Sequence, residues 1–127
     1  MLLIIDIPFN IDEARGVLKD DIEWILNEVF YYAVDRVYHG DDGDKPEFII
    51  LDSFIKKPLN SDQLSRVETM FSQIFDTLIE LTYRLIDLGL GIDYLYNEEP
   101  IDILVAGSVI YCYDKYARSM YGKRKAV

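Results

Sequence analysis

The chain has 127 residues, half of them hydrophobic, and a net charge of −10. A chain of this length makes one domain and buries roughly two-thirds of its unfolded surface, enough to fold without disulfides or metal. The charge is uneven: residues 115–127 carry Lys115, Arg118, Lys123, Arg124 and Lys125 and no acid, which leaves −15 on residues 1–114. An acidic body of that kind repels phosphate backbones and argues against direct nucleic-acid binding, while it suits a basic partner.

From the N-terminus, Leu2 to Ile7 is a short apolar run that ends at Pro8 and reads as a buried strand. Asn10, followed by Asp12 and Glu13, is a helix start, because the amide caps free N–H groups and the acids complement the dipole. Gly16 and Lys19-Asp20-Asp21 interrupt that helix, and a second starts at Asp20 or Asp21. Ile22, Ile25, Leu26, Val29, Phe30, Ala33, Val34 and Val37 form a wide helical stripe, and Gly40 closes it. "HGDDGD" at 39–44 contains the only histidine. A calcium loop needs oxygen ligands at alternating positions and a glycine at the sixth. That spacing fails from Asp41 and from Asp42, so the segment reads as a charged turn. "EFIILDSF" at 47–54 reads as a second strand, ended by Lys56-Lys57-Pro58.

Asn60 or Ser61 then caps the longest helix. Leu64, Val67, Phe71, Ile74, Leu78, Leu81, Leu85 and Leu88 alternate steps of three and four, the strongest pattern in the chain. This face either packs within a helical bundle or joins copies of the chain. Ile92, Tyr94 and Tyr96 suggest a short strand. Glu98-Glu99-Pro100 reads as a helix entry, and the spacing of Ile101, Leu104, Val105, Ser108, Cys112, Tyr116 and Met120 predicts a helix from 100 to about 121. "VAGSVIYCY" within it also fits period two. The expected class is α+β, mostly helical, with two or three short strands on long helices and βαβ crossovers where strands run parallel. Residues 1–121 are expected to form the compact domain and 122–127 a basic frayed tail.

Several chemistries lack their parts. There is no glycine-rich phosphate loop, dinucleotide fingerprint or nucleophile elbow. Ser108 reads as a small packing residue and Cys112, the single cysteine, as a buried structural thiol. One cysteine and one histidine exclude an internal disulfide and the usual zinc sets. No cofactor or metal is expected. No apolar run approaches the ~20 residues of a membrane span. The opening Met1–Pro8 lacks a basic leader, and the expected location is cytoplasmic.

Asp6 ends the first strand and Asp52 lies near the end of the expected second. On parallel neighbours these carboxylates could hold Mg²⁺ for phosphodiester hydrolysis. "LLIIDIP" with "PIDILVAGSVIY" loosely resembles the PIN-domain nucleases, which open on an apolar strand ending in Asp and later set an Asp before a small-residue helix. The resemblance makes Asp6 and Asp102 metal-holding acids and leaves Glu28 as the nearest match to the family's middle acid. The strand and acidic turn that follow the late helix in that family have no counterpart here. Residues 2–38 also resemble the ribbon-helix-helix layout and the openings of small phage proteins. That resemblance implies a small regulator dimerising through its first strand, although Asp6 is the only polar side chain such a strand offers.

The reading that absorbs most of the sequence is a non-enzymatic acidic interaction protein, of viral or mobile-element type. It would inhibit a partner by occupying a basic surface that otherwise takes nucleic acid. Asp20, Asp21, Glu23, Glu28, Asp35, Asp41, Asp42 and Asp44 would supply the field, with Tyr94, Tyr96 and Tyr111 as aromatic anchors. Homo-oligomerisation through the Leu64–Leu88 face would accompany it.

Overall fold

A computed structural model describes residues 2–19, 21–40, 53–90 and 101–115. Among the described residues are three helices and a three-stranded antiparallel sheet, an α+β arrangement that is mostly helical. In chain order the elements are β1 (Leu2–Asp6), α1 (Ile11–Val17), α2 (Ile22–His39), α3 (Ser61–Asp87), β2 (Ile101–Ala106) and β3 (Val109–Asp114).

The helix boundaries follow local chemistry. Asn10 Oδ1 accepts from the backbone N–H of Asp12 and Glu13 at 3.0 and 3.1 Å, which starts α1. Asn60 and Gln63 form a reciprocal capping box at the start of α3, at 2.9 and 3.1 Å. Asp21 stands at the N-cap of α2 without a side-chain cap bond. Gly40 ends α2, its N–H donating to the Arg36 carbonyl at 2.8 Å.

The apolar seam of α3 is spent inside the molecule. Val67, Phe71, Ile74, Leu78, Leu81 and Leu85 are all buried in the core, and only the ends of the row, Leu64 and Leu88, are exposed. α3 packs on α2, whose Ile25, Leu26, Val29, Phe30, Ala33 and Val34 are buried in the same core. The Arg36 guanidinium lies 5.2 Å from the centre of the Phe75 ring and ties the two helices at their border. Thr77 and Thr82 are buried on α3, and their hydroxyls donate to the carbonyls of Gln73 and Leu78, both at 2.7 Å, so neither is left unsatisfied.

The sheet has the order β1-β3-β2, with β3 antiparallel to both neighbours. β1 and β2 therefore run parallel with β3 inserted between them, so the helices form the crossover of a split βαβ unit. Leu3, Cys112 and Ile103 share one cross-strand row, and Ile5, Ile110 and Val105 the next. These inward side chains, with Ile101, pack on the helices.

Two expectations fail here. Residues 101–114 form a hairpin, where helical spacing predicted a helix from 100 to about 121. The competing period of two is the one that burial follows: Ile101, Ile103, Ile110 and Cys112 point into the core. β-Branched and aromatic residues suit a half-buried pleat better than a helix interior. Gly107 and Ser108 join the strands, with Gly107 at φ +62°, the left-handed setting that a primed two-residue turn requires. Ser108 is thus an exposed turn residue, not a packing residue, and its carbonyl accepts from Ile7 N–H at 2.8 Å. The strand expected over 47–54 does not reach its end, since Ser53 and Phe54 have helical backbone. Phe54 is buried there, stacked on Phe71 at 6.5 Å and meeting Trp24 edge-on at 5.7 Å. The rest of that stretch and the strand expected near Tyr94 and Tyr96 lie outside the described residues.

The turn supplies a direct test. A Cβ at position 107 would meet no neighbouring atom, so a substitution there carries only the backbone cost. Gly107→Ala should lower the unfolding free energy by about 1–2 kcal/mol. Gly107→Asn should lower it by less, because Asn tolerates the left-handed region. Urea denaturation of the two variants measures the difference.

Candidate interaction surfaces

The described part of the expected acidic field gathers on one helix. Asp21 occupies the N-cap position of α2, and Glu23, Glu28 and Asp35 lie along it. Asp20, Asp41, Asp42, Asp44, Tyr94 and Tyr96 lie outside the described residues. The structure adds aromatic residues between the acids. Trp24, Glu28, Tyr31, Asp35 and Tyr38 follow one another at steps of four, three, four and three, which is one stripe of a helix. Trp24 is 49% and Tyr38 58% exposed. Trp24 is the only tryptophan in the chain. Its ring is braced edge-on by Phe54, so a large apolar surface is held in place at the helix face. Toward the other end, His39 Nε2 lies 3.4 Å from Asp35 Oδ1, and the Tyr38 and His39 rings meet edge-on at 4.9 Å. Partial burial, and then the side-chain hydrogen bond with Asp21, raise the Glu23 carboxyl above its usual pKa.

Sequence reasoning located the acids of this stripe and missed Trp24 and Tyr38. The signal was present in the spacing. It interleaves with the core stripe of the same helix, which is the stronger pattern of the two.

Tyr111, the remaining expected anchor, stands elsewhere, on the outer face of the sheet. Ile4, Tyr111 and Leu104 form a cross-strand row across β1, β3 and β2, beside the row Leu2, Tyr113 and Asp102. Leu2 and Ile4 are each 50% exposed and Leu104 is 44% exposed. The outer face of an antiparallel sheet is usually polar. Here its charged positions within the strands are Asp6 at one corner and Asp102 at the opposite one. Asp102 Oδ1 pairs with Lys115 Nζ at 3.1 Å.

That placement bears on the strand-end aspartates. Asp6 and Asp102 lie on the two outer strands, four register positions apart. With strands ~4.8 Å apart and ~3.3 Å of rise per residue, they stand roughly 16 Å from each other. Two carboxylates that share a Mg²⁺ must both reach within ~2.1 Å of it. The structure therefore does not bring Asp6 and Asp102 to one ion, and β1 has β3, antiparallel, as its neighbour. Asp52 lies outside the described residues. Glu28 lies on the α2 stripe. Among the described residues no group of three or more His, Cys, Asp or Glu side chains is placed to hold a metal ion. Among the same residues no helix is long and apolar enough to cross a membrane.

Cys112 is buried on β3, at 2% exposure, and desolvation pushes its thiol from 9.0 up to about 12. Comparison of the chain with protein-family models, with curated proteins and with solved structures found no match.

The cysteine sets a pH limit on stability. A raised folded pKa means the folded state favours the protonated thiol. Its contribution is complete below the unfolded value near 9 and is lost as pH rises toward 12. A thiol reagent at pH 8 should modify Cys112 only in denaturant. Cys112→Ala should flatten the fall of melting temperature between pH 9 and 11, as read by circular dichroism.

Proposed function

We propose that this chain is a non-enzymatic docking module that binds a basic surface of a partner protein through the outer stripe of α2. The single observation that carries this reading is the interleaving of acids and exposed aromatics along that stripe. Trp24 and Tyr38 are exposed, and Glu28 and Asp35 stand between them. Aromatic anchors contribute most of the energy in protein interfaces, while surrounding charges set the encounter rate and the choice of partner. The body carries −15 before residue 115, so its long-range field favours the same kind of partner. A surface that normally takes nucleic acid has the required basic character.

Trp24 makes the test direct, because it is both the proposed anchor and the sole indole reporter. Affinity capture from the native host should recover a Lys/Arg-rich protein at low salt, with recovery falling as salt rises. Addition of that protein should shift Trp24 emission to shorter wavelength. Trp24→Leu should weaken binding by about 2 kcal/mol, roughly thirtyfold. Asp35→Lys should mainly slow association. Recovery of the same proteins by a Trp24→Leu/Asp35→Lys double variant would overturn the reading.

The outer sheet face favours a second reading, self-association. Exposed apolar area of this kind marks interaction surfaces, and the expected Leu64–Leu88 face is largely consumed by the core. Sedimentation should show a dimer whose population grows with concentration and falls when Ile4 and Leu104 are replaced by Thr. An Ile4→Thr/Leu104→Thr variant that sediments like the parent at every concentration removes this second reading and leaves the first intact.

A further inference from the structure

A cleft of opposite charge lies where two distant segments meet. The connection after α1 supplies Lys19, and the segment before α3 supplies Lys56 and Lys57. The two segments are clamped by backbone bonds. Lys19 N–H donates to the Phe54 carbonyl at 2.7 Å, and Lys56 N–H donates to the Val17 carbonyl at 2.9 Å. Leu18 and Ile55 form an isolated antiparallel bridge between them. Lys56 Nζ also donates to the Arg15 carbonyl at 3.3 Å. The resulting open cleft has a volume of about 460 Å³ and is lined by Lys19, Lys56 and Lys57 together with the apolar Ile55, Leu59 and Leu64.

The anomaly is electrostatic. The chain has 23 acids against 13 Lys and Arg, yet three lysines line this one cleft, and among the described residues it is lined by no acid. Among the described residues neither Lys19 nor Lys57 forms an ion pair. Ammonium groups that share a cleft repel one another, and a multiply charged anion bound among them would reverse the sign of that interaction. The backbone clamp fixes the approach of the two segments in advance, so a ligand need not bring them together.

We propose that this cleft binds a phosphate monoester. Its phosphate would lie among the ammonium groups of Lys19, Lys56 and Lys57, and its organic body on Ile55, Leu59 and Leu64. A phosphate monoester near neutral pH carries almost two charges and three strong acceptor oxygens, whereas a carboxylate offers one charge. Lysine serves as a point-charge partner for phosphate. The volume falls in the range of small-ligand sites, roughly 300–1,000 Å³. The site uses residues of opposite sign from the α2 stripe, so it stands or falls independently of the docking reading. The phosphate could belong to a small molecule or to a phosphorylated side chain.

Backbone amide NMR on the full chain tests this, with phenyl phosphate, benzoate and a short phosphotyrosine peptide as probes at pH 7.5. Phenyl phosphate should shift the signals of Lys19, Ile55, Lys56 and Lys57 saturably, with a Kd at least about tenfold below that of benzoate. A Lys19→Gln/Lys56→Gln/Lys57→Gln variant should retain the rest of the spectrum and bind at least about tenfold more weakly. Binding should also weaken as pH falls below the second phosphate pKa, about 6. A peptide that binds more tightly than phenyl phosphate assigns the source to a phosphorylated partner, and equal binding assigns it to a small molecule. The absence of saturable shifts at millimolar probe, equal binding of benzoate, or unchanged binding by the triple variant would each overturn the proposal.

Discussion

The burial of one face of α3 organises the molecule. Six positions from Val67 to Leu85 are almost completely removed from solvent, at alternating steps of three and four. They form one core with the inner face of α2 and the inner side of the sheet. Removing one such side chain typically costs 2–5 kcal/mol, a large share of a small domain's stability. The same fact constrains function. A face consumed by the molecule's own core cannot also join copies of the chain, so any docking surface must be sought on what α3 leaves uncovered. That remainder includes the outer stripe of α2 and the outer face of the sheet.

Local signals were legible where local chemistry decides. Asn10, Asn60 and Gly40 stop or start helices through bonds made within a few residues, and each does so here. The α3 seam was legible because its period holds through the whole helix. The hairpin was not, because residues 101–114 satisfy two periods at once and only the sheet decides between them. Ile103 and Ile110 gain from burial against the helices in the pleated register, and that gain outweighs a helix entry at Pro100. Of the candidate surface, the acids of α2 were legible as composition. Trp24 and Tyr38 were hidden behind a stronger stripe on the same helix. The lysine cleft had no signature in the sequence, since it exists only because Leu18 meets Ile55 in space.

Charge is therefore segregated on this small fold. The α2 stripe presents carboxylates between aromatic rings, whereas the cleft at Lys19 and Lys56 is lined by lysines and aliphatic side chains. Net charge alone predicts only repulsion of anions. The local field at a concave site depends on the groups within about one Debye length, roughly 8 Å at physiological salt. An acidic protein can hold an anion there without contradiction, provided the nearby cations are not neutralised by ion pairs of their own.

The two proposed associations, through the α2 stripe and through the outer sheet face, would answer to salt in opposite ways. Self-association through Ile4, Tyr111 and Leu104 would bring together two bodies of net charge −10. Like charges oppose that approach, and Asp6 at the corner of the face adds to the opposition. Salt screens the repulsion and so strengthens self-association. A basic partner on the α2 stripe experiences the reverse, since salt screens an attraction. The sign of the salt dependence would thus distinguish the two surfaces: the aliphatic row would gain from screening and the acid-aromatic stripe would lose by it. At low ionic strength the field would favour the proposed partner on α2 over self-association through the sheet face.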